Sequence, residues 1–92
     1  MTPIHPGRIL KRELEARGQT ANQLGLALRV PSGRITSILK GKRRVTPETA
    51  LRLARYFGNT PQFWMNLQTR FDLIVAEQDL GERISSEVKP AA

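Results

Sequence analysis

Apolar residues in this chain recur at three- and four-residue intervals, the period of a helix, and not at the two-residue interval of a strand. Proline and glycine interrupt that pattern at short distances, so the helices are brief and closely joined. Pro6-Gly7 opens the first, whose Ile9, Leu10 and Leu14 share a face before Gly18 ends it. Thr20 has the chemistry of an N-cap, and Gln23 three residues on completes a capping box. The second helix therefore starts there, with Leu24, Ala27 and Leu28 inward. Pro31 suits the first turn of a third helix carrying Ile35, Ile38 and Leu39, which Gly41 stops. Thr46-Pro47 starts a fourth, running through Ala50, Leu51 and Ala54 to Phe57 before Gly58. Thr60-Pro61 starts a fifth and longer one that reaches Leu80-Gly81. The polar stretch 82–92, which contains Pro90, reads as a flexible tail. The prediction is an all-α chain: one five-helix domain over residues 1–81, with its last helix at about 61–80.

The spacing of the second and third helices is specific. Only Arg29-Val30 joins them, and Leu28, Val30, Ile35 and Ile38 follow Leu24 at offsets of 4, 6, 11 and 14. Two short helices crossing at about 90–120° need such a set to share one small core. Gly25 falls where the pair would approach too closely for a side chain. This arrangement resembles the helix-turn-helix of phage-repressor-like regulators, which implies a lambda-repressor-like domain with the third helix as the reading element. Two positions depart from that pattern. Arg29 stands where the turn usually has Gly, so it must take a positive φ at some strain, and Ala21 replaces a phosphate-contacting Gln.

Charge supports a polyanionic partner. The net charge of +7 on 92 residues divides unevenly. Residues 1–58 hold twelve Lys and Arg against three Glu, a net of +9, whereas residues 59–92 hold three against five, a net of −2. A B-DNA major groove about 12 Å wide admits one α-helix, whose first residues reach base edges. Ser32, Gly33, Arg34, Thr36 and Ser37 are the outward positions early in the third helix. Arg34 leads them, since a guanidinium pairs with both guanine acceptors. Lys40, Lys42, Arg43 and Arg44 follow in the next loop, suited to a phosphate strand, and Thr20 joins them at the start of the second helix.

Two further segments carry a closer likeness. His5-Pro6-Gly7-Arg8-Ile9-Leu10 resembles the opening of HigA/VapI-type antitoxins. Thr46-Pro47-Glu48-Thr49-Ala50-Leu51-Arg52-Leu53-Ala54 and Thr60-Pro61-Gln62-Phe63-Trp64-Met65-Asn66-Leu67-Gln68 are similar to their later helices. The likeness covers about His5 to Gln78. It implies an antitoxin of a type II toxin–antitoxin pair that binds double-stranded operator DNA of its own operon and neutralises a small basic ribonuclease toxin. It also implies a homodimer through the last helix, where Phe63, Trp64, Leu67, Phe71, Ile74 and Val75 fall at helical spacing. The acidic stretch from Asp72 to Glu87 is expected to lie away from DNA and to suit a basic partner or solvent.

Other chemistry is poorly supplied. With no Cys and a single His there is no expected metal site, disulfide or cofactor, and no catalytic motif emerges. His5, beside Pro6, reads as a capping or packing residue, and Glu13 and Glu15 as solvated partners of nearby cations. No run approaches the ~20 apolar residues of a membrane span, so a cytoplasmic protein without membrane contact is expected. Two alternatives remain: a stand-alone helix-turn-helix regulator without a toxin, and a toxin-binding inhibitor that has lost DNA binding, the latter kept open by Ala21, Gly33 and Arg29. RNA binding is weaker still, since Phe63, Trp64 and Phe71 read as packing residues and no stacking platform is visible.

Overall fold

A computed structural model describes residues 1–91, in which the chain forms α1 (Pro6–Arg17), α2 (Ala21–Leu28), α3 (Ser32–Leu39), α4 (Pro47–Phe57) and α5 (Pro61–Glu87). There is no strand among the described residues. Local chemistry starts four of these helices. Thr20, Thr46 and Thr60 accept from the backbone N–H of Gln23, Thr49 and Phe63, and Gln23 returns the favour by accepting from Thr20 N at 2.9 Å. The His5 Nδ1 accepts from Gly7 N at 2.9 Å, which makes this residue the cap of α1. Each such cap stabilises its helix by about 1 kcal/mol, and helices of eight residues such as α2 and α3 are marginal without help. Pro31 occupies the N-cap position of α3, one place earlier than the first turn expected for it, and supplies no side-chain acceptor.

One buried cluster unites the five elements: Leu10, Leu14, Leu24, Leu28, Ile35, Ile38, Val45, Ala50, Leu53, Ala54 and Trp64. Two glycines allow the close approaches. A Cβ on Gly25 would stand 3.0 Å from the Val30 carbonyl and 3.1 Å from Ser32 Cα, and one on Gly7 would collide with the Ile38 carbonyl. Arg29 takes the left-handed conformation that the turn demands, at φ 62°, and is the only non-glycine residue among those described to do so.

Three expectations need correction. Leu51 is 59 % exposed and Leu53 is buried instead, because the inward stripe of α4 runs through Ala50, Leu53, Ala54 and Phe57, leaving Leu51 about 100° round the helix. Ala27 is also exposed; the contact at Gly25 turns the edge made by Leu24, Gly25 and Leu28 toward α3. Finally, α5 passes through Gly81 and ends at Glu87, so residues 82–87 are helix and not tail. A helical Gly costs only about 1 kcal/mol relative to Ala and terminates a helix when the backbone turns left-handed, which Gly81 does not do. Ala92, the last residue of the expected tail, lies outside the described residues.

The 27-residue α5 is about 40 Å long and outruns the body it packs on, which gives the molecule extents of 51 × 21 × 21 Å.

Candidate nucleic-acid interface

Helix α3 and the basic loop that follows it are held from several sides. Ile35 and Ile38 anchor α3 in the core with no exposed surface, which leaves Ser32 and Gly33 exposed and Arg34, Thr36 and Ser37 half-buried. The Thr36 hydroxyl donates to the Ser32 carbonyl at 3.1 Å, a bond internal to the helix that leaves its lone pairs available. The Ser37 carbonyl accepts from Lys42 N at 2.9 Å and Arg43 N at 3.3 Å, folding the basic loop back onto the last turn of α3. Thr20, the cap of α2, is exposed, and its hydroxyl proton remains available to a phosphate oxygen.

The far side of the loop is fixed by α5. Val45 N–H donates to Gln68 Oε1 at 2.8 Å in a buried bond, and Gln68 Nε2 donates in turn to Asp72 Oδ1 at 2.9 Å. Asp72 Oδ2 lies 3.0 Å from Arg44 Nη1. His5 packs edge-on against Phe71 with ring centroids 5.0 Å apart, so α1's cap meets the same stretch of α5. Burial pushes the His5 ring below the ordinary histidine range, against the upward pull of the Asp72 carboxylate and the Arg43 backbone bond. The acidic end of the chain is therefore not wholly remote from the basic loop: Asp72 touches it. Lys40, Lys42 and Arg43 are exposed and make no ion pair among the described residues.

Arg34, the leading base-contact candidate, is already engaged. Its Nη1 lies 3.3 Å from Glu48 Oε1 at the start of α4. Glu48 Oε2 lies 3.2 Å from Arg52 Nη2, and Arg52 Nη1 donates to the Leu28 carbonyl at 2.9 Å. Neither this chain of bonds nor the Gln68 bridge is visible as a motif, since Arg34–Glu48, Val45–Gln68 and Leu28–Arg52 join residues 14, 23 and 24 apart. Glu13 pairs with Arg17 at 3.3 Å, as expected of a solvated helix face.

The apolar candidates on α5 divide. Trp64 is fully buried and its Nε1 donates to Asn59 Oδ1 at 2.9 Å, so it belongs to the domain's own core and offers no interface surface. Its burial follows from the first turn of α5 lying directly over the Ala54–Phe57 end of α4. Phe63 is 41 % exposed, while Leu67, Phe71, Ile74 and Val75 are half-buried. Part of this face is covered from within: Met1, Ile4, Ile9, Leu67, Arg70 and Ile74 line one small cavity, and the Met1 carbonyl accepts from Gln78 Nε2 at 2.7 Å. Leu73, Leu80, Ile84 and Val88 are the exposed apolar residues that the spacing argument left out.

No helix among the described residues is long and apolar enough to cross a membrane, and none of them form a cluster of acidic or histidine residues able to hold a metal.

Comparison with known proteins gives this geometry its class. Residues 10–64 match the helix-turn-helix family model. Virulence-associated protein I of Dichelobacter nodosus is 50% identical over 80 residues, covering 86% of this chain and 74% of that protein. An addiction module antidote protein of the HigA family from Coxiella burnetii superposes with a TM-score of 0.95 at 49% identity, covering 98% of this chain and 99% of the other. The Pseudomonas aeruginosa antitoxin HigA, solved with the higBA promoter, superposes with a TM-score of 0.96 at 37% identity, covering 99% and 100%. The chain belongs to the HigA/VapI-type antitoxins of the phage-repressor-like helix-turn-helix family.

Proposed function

We propose that this protein works in the cytoplasm as the antitoxin of a type II module: it covers operator DNA of its own operon as a homodimer and neutralises a small basic ribonuclease toxin. The observation that carries the DNA half is the joining of α3 to an exposed, unpaired trio of cations. The Ser37 carbonyl holds the Lys42 and Arg43 amides, so the cations and the outward residues of α3 move as one unit. The solved complex of the P. aeruginosa relative with its promoter supports the same use of the same fold. Ser32, Gly33, Arg34, Thr36 and Ser37 then face the groove, while Thr20, Lys40, Lys42, Arg43 and Arg44 follow the phosphates. In a dimer, two such helices set about 34 Å apart read successive major grooves. The role is one of binding throughout, and the residues named perform no bond chemistry.

Titration of DNA from the protein's own upstream region tests this. Lys42→Ala weakens binding on all sequences and lowers the salt slope by about 1, whereas Arg34→Ala lowers preference for the operator over unrelated duplex. Unchanged binding in both variants would remove this face from consideration. Co-expression with the neighbouring reading frame, scored by growth, tests the toxin half.

A further inference from the structure

An isolated surface ion pair carries little meaning, and the pairing of Arg34 with Glu48 differs from one in three respects. The two residues belong to different helices, α3 and α4. The Arg34 side chain is only 23% exposed, although its carboxylate partner is 60% exposed. And the carboxylate is itself held: Glu48 Oε2 meets Arg52 Nη2 at 3.2 Å, and Arg52 is tied to the Leu28 carbonyl at 2.9 Å, on the last residue of α2. One chain of bonds thus links α3 to α4 through the carboxylate and α4 to α2 through Arg52. Thr46 caps α4 two residues before Glu48, so the base of this side chain is fixed as well.

We propose that Glu48 is a positioning and specificity residue for DNA readout, holding the Arg34 guanidinium in its reading orientation and penalising phosphate contacts made without base recognition. This rests on the operator-binding reading above. A guanidinium has five N–H donors in a rigid fork, and Glu48 takes one edge through Nη1. The remaining donors stay free for the two guanine acceptors O6 and N7. Arg34 then loses little side-chain freedom on binding, which favours the matched base pair over every other arrangement of a long, flexible cation. The second effect is electrostatic. An exposed carboxylate beside the basic face repels phosphate, and that repulsion acts equally on all sequences. Only a duplex that offers Arg34 its bidentate partner compensates for it, so the same charge lowers general affinity and raises the preference for one site.

The test uses the full chain. Duplexes recovered by the wild-type protein from a randomised library define its preferred site. Anisotropy titrations then compare wild type, Glu48→Gln and Arg34→Ala on that duplex, on its single-base variants and on a scrambled duplex. Glu48→Gln is expected to bind the scrambled duplex about threefold more tightly, since one repulsive charge is gone. It is also expected to lose about tenfold discrimination at the base pair whose readout Arg34→Ala abolishes, and at no other. A uniform loss across all positions would mean that Glu48 merely braces α3 against α4, and would overturn the proposal. So would unaltered discrimination in Glu48→Gln, or an Arg34→Ala variant that keeps its preference at every position. A wild-type protein that selects no sequence overturns the DNA reading together with this one, and so separates the two failures.

Discussion

Trp64 and Ile84 lie on one continuous helix, yet the first has no exposed surface and the second is 48 % exposed. Up to Phe71, α5 is fastened to the body: Trp64 in the core, Gln68 bonded to Val45 N, Phe71 against the His5 ring. Beyond Asp72 the contacts with the body thin to Ile74 and the bond from Gln78 to the Met1 carbonyl, and Leu73, Leu80, Ile84 and Val88 meet solvent. Helical continuity is thus sustained by different means in the two halves. Tertiary packing fixes the first, whereas past Gln78 the second has only its backbone bonds and local pairs such as Arg83–Glu87 at 3.5 Å. A helix of this kind is a core element at one end and an arm at the other. The arm is the natural place for protein contacts, because its apolar residues cost nothing to the fold.

Substitutions should therefore cost most in the fastened half. Trp64→Ala removes the largest buried side chain and its bond to Asn59 Oδ1, and is expected to destabilise the domain by about 3–5 kcal/mol. For a domain with a modest margin that loss leaves much of the chain unfolded at ambient temperature, visible as lost helical circular dichroism. A folded Trp64→Ala protein with near-wild-type stability would mean that core burial does not fasten this half of α5. Gln68→Ala comes next. It leaves the Val45 N–H buried without its acceptor, with an expected cost of about 1–3 kcal/mol by denaturant unfolding. It also frees the basic loop on its α5 side, so DNA affinity should fall by more than stability alone accounts for.

What could be read from the residues beforehand follows the same division between local and distant causes. The caps at Thr20, Thr46 and Thr60 are legible because partner and cap lie three residues apart. Gly25 follows from the close approach of α2 and α3, and the positive φ of Arg29 from the resemblance to a helix-turn-helix whose turn usually has Gly there. Leu51 and Leu53 are not separable by type, since both are leucine on a helix whose exact rotation is set by what α5 lays across it. Gln68 looks like an ordinary polar surface residue until the fold brings Val45 to it from 23 residues away. The extension of α5 through Gly81 was hidden for a related reason: a terminator and a tolerated interior glycine are the same letter, distinguished by a backbone angle.

In the arm the expected order of effects reverses. The double change Leu80→Ser with Ile84→Ser removes two exposed apolar groups and no buried one. At dilutions where the chain is monomeric, unfolding free energy should stay within about 0.5 kcal/mol of wild type. Association through the proposed dimer is where the change should appear, as a shift toward monomer in sedimentation velocity relative to the wild type. A loss of monomer stability comparable to that of Gln68→Ala would mean that the arm is part of the body after all. An undisturbed dimer would move the interface to Phe63 and the half-buried residues of the first half.

The smallest effect belongs to the junction between the halves, and it is a pH effect. In the unfolded chain His5 titrates near 6.5, while in the fold ring burial holds it lower. The unfolded state therefore takes up the proton first, so the contribution of His5 is complete above the ordinary histidine pKa and is lost as the pH falls below it. Protonation at Nδ1 also removes the acceptor that caps α1 at Gly7 N. Because this is the only histidine, the range between about pH 6.5 and 5 is where its titration is read. His5→Asn retains a capping acceptor and does not titrate. Between about pH 7.5 and 5.5, the wild type should show a small downward shift in Tm that His5→Asn lacks. Parallel curves for the two proteins would show that the contact between His5 and Phe71 does not depend on the charge of the ring, and that the junction holds by packing alone.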